Sequence, residues 1–420
     1  MVHWVRIAVG AAALAWASAA AAAPAPAHYD IKAKFDLAAQ TVAADVVITL
    51  SPQQAMDPIG FVISDRIKLE QVDGGPGSHV KVEPFDKPFK GVNKISFTFD
   101  RPPTRPVTLR FRYAGPVNGD DGHARIDPTQ GIEVGFEDMW APVRPNFGLV
   151  FTADADIAGI PASQVVVAQG QVTHRGDHLT IHRSFTDMDM PFAALTGLQR
   201  FAGSGAEVYA RNPDGILETA WRKYAGHIVE YYVGLFGSLP PQSLPERLVV
   251  LPRVGAAYAR RAYISLPDGA DEVKKLGPLP DWMLVATVSH EFAHAWWCHG
   301  DPLTEDHWLN ESMAEYSSMR FTESIAGAEA LKVRIDKKID PSKTAGPILG
   351  KGRPTKAALY QKGPLLLFDL DHRIGRAKMD QLLGIVGREQ VSTTAQFLAA
   401  LTKVAGAEAA TTFEAELRKP

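Results

Sequence analysis

His290 and His294 stand four residues apart in the run His290-Glu291-Phe292-Ala293-His294. On a helix, positions four apart differ by about 40°, so both imidazoles face one way and can grip a single zinc ion through neutral ring nitrogens. Glu291 sits one step round the helix. There it can take a proton from a water polarised by the metal without being a ligand itself. With 13 histidines in 420 residues, chance supplies such an H-E-x-x-H run only about 0.02 times. The spacing therefore predicts a zinc hydrolase centre.

A catalytic zinc needs a third protein ligand and one open position. Downstream acids include Glu305, Asp306, Glu311 and Glu315, and spacing alone does not choose among them. The elements that must position these groups are legible. Asp281 is expected to cap a helix with the apolar stripe Val285, Val288, Phe292 and Trp296, ending at Gly300 with Pro302 just beyond. A second helix beginning near Trp308 carries Glu311 and Glu315 and packs antiparallel after the turn at 300–307.

The stretch Trp308-Leu309-Asn310-Glu311-Ser312-Met313-Ala314-Glu315-Tyr316 resembles the W-L-N-E-G-F-A-x-Y run of the aminopeptidase N family of gluzincins. The resemblance implies that Glu311 is the third zinc ligand, with one zinc ion per chain. It also implies that Asp306 orients a zinc-bound histidine from behind, with Asn310 as a second supporting residue. Sixteen residues separate His294 from Glu311, two fewer than is usual in the family, and the deficit falls in the connecting turn. Tyr360-Gln361-Lys362-Gly363 is similar to the family's Y-x-K-G element, so Tyr360 is expected to donate a hydrogen bond to the oxyanion formed during hydrolysis.

The resemblance covers almost the whole chain. His28-Tyr29-Asp30-Ile31 resembles the opening strand of the family's β domain, and Trp140-Ala141-Pro142 with Phe147 to Thr152 resembles a later strand entry. The fold implied is α+β and two-domain: an all-β saddle-like N-terminal domain, then a mostly helical thermolysin-like domain. One element departs from the pattern. Where family members carry G-x-M-E-N, whose Glu holds the substrate's free amine, this chain has Gly255-Ala256-Ala257-Tyr258-Ala259, followed by Arg260 and Arg261. A phenol is neutral near pH 7, so an ammonium loses a partner typically worth about 1.5–3 kcal/mol. Glu137, in Gly135-Phe136-Glu137-Asp138, resembles the family's second amine-binding position, and Glu133 and Asp138 stand close by. The implied activity is an aminopeptidase of altered specificity. A zinc hydrolase of blocked or non-peptide substrates and a non-catalytic peptide binder are the alternatives.

Alternating runs, among them 28–37, 42–50, 94–99 and 107–113, read as strands. Helical periodicity starts with Ile216 to Phe236, stopping at Gly237. The expected organisation is a leader at 1–27, a β domain over 28–204 and a catalytic domain over 205–420. The leader reading rests on Arg6, the apolar run Ile7 to Ala15, and Ala21-Ala22-Ala23 before Pro24. These are the parts of a secretory signal peptide and imply a periplasmic or secreted protein. Formal charge is −3, from 44 basic and 47 acidic residues, which excludes a basic field for nucleic acid. One cysteine, Cys298, excludes an internal disulfide. No segment after the leader is long and apolar enough to span a bilayer. Peptides are the expected partners. The basic loop at 340–356 reads as a solvated connector.

Overall fold

The structure, a computed structural model, describes residues 25–420 apart from 57–58, 86–89, 118–125, 147, 213, 241, 254, 270–272 and 274. Most of the expected leader lies outside the described residues. Its last residue, Ala27, is fully buried and begins the first strand, Ala27–Asp36.

Along that strand Tyr29, Ile31, Ala33 and Phe35 are buried while the residues between them face outward, the two-residue period of a half-buried strand. It lies in the middle of a seven-stranded sheet in the order Gln171–Arg175, His178–Asp187, Phe151–Ala158, Ala27–Asp36, Thr41–Leu50, Val107–Pro116, Lys68–Asp73. Its pairing with Phe151–Ala158 is parallel, and that with Thr41–Leu50 antiparallel. A three-stranded sheet of Ile59–Ser64, Val92–Phe99 and Ser78–Pro84 contributes to the same buried cluster. So does a four-stranded sheet containing Gly131–Val134 and Phe192–Leu195. Trp140 fills the centre, its ring 5.6 Å from Phe35 and 6.1 Å from Phe192. Of the stretch 147–152 that resembles a strand entry, the strand itself begins at Phe151.

A second large core runs from Ala206 to Leu417. Its five-stranded sheet has the order Gln199–Ala202, Glu207–Ala210, Arg247–Leu251, Tyr263–Pro267, Tyr258–Arg260. The strand Gln199–Ala202 pairs with Glu207–Ala210 and so belongs to this sheet, although it precedes the expected boundary at 205. The boundary expected from sequence follows the onset of helical periodicity, which does not show that a strand before it pairs forward. Helix α1 (Ile216–Phe236) is the crossover between the parallel strands Glu207–Ala210 and Arg247–Leu251. It buries Trp221, Ala225, Ile228, Tyr232 and Phe236 and ends at Gly237, whose φ of 95° favours glycine. The remaining helices are α2 (Asp281–Leu284), α3 (Ala286–Ala293), α4 (Trp308–Ser342), α5 (Gly363–Ile374), α6 (Arg376–Arg388), α7 (Thr394–Ala405) and α8 (Ala407–Arg418). The fold is α+β: a β-rich N-terminal unit followed by a mainly helical one. No helix among the described residues is long and apolar enough to cross a membrane.

Candidate active site

The helix expected from Asp281 to Gly300 is two helices. Asp281 is not its cap: Pro280 takes that position, and the Asp281 carboxylate accepts hydrogen bonds from Lys223 (2.7 Å) and Tyr224 (2.9 Å) on α1. Val285 (φ −97°, ψ 0°) separates α2 from α3, and His294 terminates α3. Trp296 and Trp297 pack into the core from the turn that follows.

Within α3, His290 and Glu291 are buried and His294 is half-buried. α4 lies against α3 and brings Glu311 to the two rings: its Oε2 is 3.5 Å from His290 Nε2 and 3.7 Å from His294 Nε2. All three donor atoms lie within 4.8 Å of one another. Zinc bonds of about 2.0–2.2 Å at tetrahedral angles put neighbouring donors about 3.3–3.6 Å apart, so the set fits a zinc ion. The other ring nitrogens agree. His294 Nδ1 donates to the Trp297 carbonyl (2.9 Å), which leaves Nε2 as the free lone pair. His290 Nδ1 meets Glu315 Oε2 at 3.1 Å. Electrostatics point the same way. Burial opposes a charged His290, but hydrogen bonds to Glu311 and Glu315 outweigh it and lift its pKa to about 10. Glu311 is held well below the usual carboxylate range despite burial, by His294 and His290. The pocket is thus arranged around one extra positive charge.

Burial pushes the Glu291 carboxyl up, against the pull of both histidines, so proton uptake there is easier than on an exposed glutamate. Tyr360 enters from a π-helical turn, Ala358–Lys362, that leads into α5. Its hydroxyl donates to Glu311 Oε2 at 2.6 Å, and its ring stacks 5.7 Å from His290. A phenol bonded to one member of the ligand set is a donor close to where an oxyanion would form.

Two expected supporting roles are corrected. Asp306 Oδ1 accepts hydrogen bonds from the Thr394 amide (2.7 Å) and hydroxyl (2.6 Å). It holds the first turn of α7, whose cap is Thr393, and takes up a helix-start amide that has no partner within the helix. Asn310 clamps the turn between α3 and α4: its side chain bonds both the amide and the carbonyl of Gly300, each at 2.8 Å. The group behind His290 is Glu315. It is held by Arg334 (2.9 Å) and Lys338 (2.7 Å), which with the His290 bond keep its carboxyl well below the usual range despite burial. Sequence left Glu315 as a candidate ligand. The i+4 spacing from Glu311 was the signal available, but it does not distinguish a ligand from a group one layer behind.

The segment around Tyr258 is occupied by its own charges. Tyr258 Oη donates to Glu133 Oε1 (3.1 Å), and Arg253 Nε lies 2.8 Å from Glu133 Oε2. Arg260 bridges Glu137 (2.8 Å) and Asp189 (2.9 Å). Gly255 carries φ of 114°, and the Ala256 carbonyl accepts a hydrogen bond from Arg253. Glu137, expected to take a substrate amine, thus already holds a guanidinium. This was illegible in sequence because Arg260 and Glu137 are 123 residues apart. The basic segment at 340–356 is not wholly a solvated connector: Arg353 Nη2 is 3.1 Å from His307 Nε2, itself 3.6 Å from Glu311 Oε1.

No family model and no curated relative matches the sequence. Solved structures do match in fold. The M1 zinc metallopeptidase of Deinococcus radiodurans aligns at TM-score 0.66 and 19% identity, covering 93% of both chains. A variant of it, bound to a Tyr-Ser-Ala substrate, aligns at TM-score 0.65 and 19% identity over 94% of both chains. Leukotriene A4 hydrolase from Saccharomyces cerevisiae aligns at TM-score 0.70 and 15% identity, over 94% of this chain and 67% of that one. In fold, then, this chain is similar to M1 zinc metallopeptidases, over nearly the whole length of the Deinococcus radiodurans protein.

Proposed function

We propose that the chain is an exported zinc-dependent peptide hydrolase whose amine-binding subsite is largely closed by its own arginines. The observation that carries the reading is the convergence of His290, His294 and Glu311, with Glu291 beside them on α3. When bound, zinc would supply Lewis acidity, polarising both the attacking water and the scissile carbonyl. Glu291 takes the proton from that water and passes it to the leaving nitrogen. Tyr360 Oη turns from Glu311 to the developing oxyanion. His290 and His294 would hold the ion through Nε2, their other ring nitrogens fixed by Glu315 and the Trp297 carbonyl.

Substrate recognition is where this chain departs from an ordinary aminopeptidase. A free α-ammonium reaching Glu137 has to compete with Arg260, and at Glu133 it meets Tyr258 and Arg253. Glu137 is 36% exposed, so competition is feasible, but the net attraction is reduced. Peptides with an acylated amino end lose nothing there.

The test uses matched peptides, Tyr-Ser-Ala and its N-acetyl form, with the purified zinc-loaded protein. The acetylated peptide is expected to be cleaved with kcat/KM within about tenfold of the free one, since the missing charge-assisted bond is worth about 1.5–3 kcal/mol where it exists. Glu291→Gln is expected to keep zinc and lose turnover by about three orders of magnitude or more. Turnover surviving in Glu291→Gln with normal zinc would remove Glu291 from the mechanism. A hundredfold preference for the free amine would show that Arg260 does not close the subsite.

A further inference from the structure

A second set of metal-binding groups lies on the outward face of the seven-stranded sheet. The alternation that buries Tyr29 and Ile31 points His28 and Asp30 outward. Parallel pairing sets Asp30 opposite Asp154, and antiparallel pairing sets Asp154 opposite His182. Three strands thus bring two carboxylates and two imidazoles to one spot. His28 Nε2 is 3.4 Å from Asp30 Oδ1 and 3.4 Å from Asp154 Oδ2, and the three donors lie within 4.8 Å of one another. The separations match tetrahedral edges around zinc and are close to those from Glu311 to the two histidines of the active site.

Two of the three donors, His28 and Asp154, are also oriented from behind. His28 Nδ1 is 2.8 Å from Thr152 Oγ1, and that hydroxyl itself points to the Ala27 carbonyl. Thr152 therefore accepts the Nδ1 proton, and the His28 Nε2 lone pair faces the two carboxylates. The second oxygen of Asp154, Oδ1, is 2.6 Å from His182 Nδ1. A lone pair facing two anions is a repulsive arrangement unless a proton or a cation sits among them, and 3.4 Å is long for a charged hydrogen bond. We infer that His28, Asp30 and Asp154 form a surface site for a transition-metal dication, with His182 and Thr152 fixing the ligands. The side chains of His28, Asp30 and Asp154 are 33%, 56% and 49% exposed, so the remaining coordination positions are open to water or to a donor from another molecule. A bound ion would also tie the first strand, through Asp30, to Phe151–Ala158.

Zinc content after equilibrium dialysis at about 50 μM free zinc reads the site without using activity. Wild type is expected to hold one more zinc ion than either His28→Ala or Asp154→Asn. Glu311→Ala is expected to lose a different ion, so that the His28→Ala, Glu311→Ala double variant holds none. His182→Ala should weaken the surface site by about 10–100-fold. Asp154→Asn is isosteric and outward-facing, so strand pairing is kept, and circular dichroism confirms it. Folded His28→Ala and Asp154→Asn proteins that both retain the wild-type zinc content would overturn the site. An active site that failed to bind zinc would lower every count except those of the Glu311→Ala variants, leaving the difference at His28 intact.

Discussion

Glu315 carries a charge that makes sense only as a support. Half-buried and paired with Arg334 and Lys338, it still offers Oε2 to His290 Nδ1. A carboxylate in that position fixes the ring and raises its basicity toward a metal. Glu315→Gln keeps an acceptor for Nδ1 but removes the charge. Zinc affinity is expected to fall by about 10–100-fold with the fold retained, measured by competition with a chromogenic chelator. Complete loss of zinc, as for a missing ligand, would assign Glu315 a direct role. At the same scale, Glu291, buried, and Glu311, half-buried, have opposite electrostatics although they sit on neighbouring helices. Glu311 is flanked by three histidines and stays ionised, whereas burial dominates at Glu291. That split suits Glu311 to holding a metal and Glu291 to taking up a proton.

Among the elements, α4 is the one whose shape the site depends on. Arg334 lies 19 residues beyond Glu315, about 28 Å along a straight helix, yet the two side chains meet at 2.9 Å. The chain turns back at Gly327, where φ is 80° and ψ −179°, a conformation open in practice only to glycine. Nothing lies within 4 Å of where a Cβ would stand, so Gly327→Ala would suffer backbone strain without a clash. The expected cost is about 1–3 kcal/mol of stability, read by urea denaturation. A weaker zinc site should accompany it, as Arg334 and Lys338 lose register with Glu315. An unchanged midpoint would mean that the turn is not strained by a side chain. Gly363 shows a different constraint: a Cβ there would overlap the Ser312 hydroxyl, and this contact seats the tyrosine-bearing turn against α4.

Across the whole molecule, the charged network around Tyr258 is an interface. Glu133, Glu137 and Asp189 come from the β-rich unit, whereas Arg253, Tyr258 and Arg260 come from the helical one. Further ties run alongside, including Gln169 to the Arg261 carbonyl (2.6 Å) and Arg247 to the Ala168 carbonyl (2.7 Å). Burial alone would favour a neutral Arg260, but Glu137 and Asp189 keep it firmly charged. Arg260→Gln leaves Asp189, 2% exposed, without its cation. Removing one partner of a buried pair typically costs about 3–5 kcal/mol, and a loss of that order is expected in chemical denaturation. In exchange the freed Glu137 should improve turnover of free-amine peptides relative to acetylated ones. A variant with wild-type stability would show that the network does not join the two units.

The sequence by itself determined the chemistry carried by short spacings. H-E-x-x-H works through the helical repeat alone, and the turn to a Trp-Leu-Asn-Glu helix is local enough to bring Glu311 back to it. The alternating strands and α1 were legible for the same reason, since each period depends on neighbours a few residues away. Only the tertiary structure decided what stands around those groups. Asp306 went to a helix end 88 residues away, and Arg260 to acids of the other unit. His28 and Asp154 met because two strands 124 residues apart in sequence pair in parallel. Charges select partners by distance in space, and that distance is set by the packing of whole sheets and helices, which no local pattern encodes.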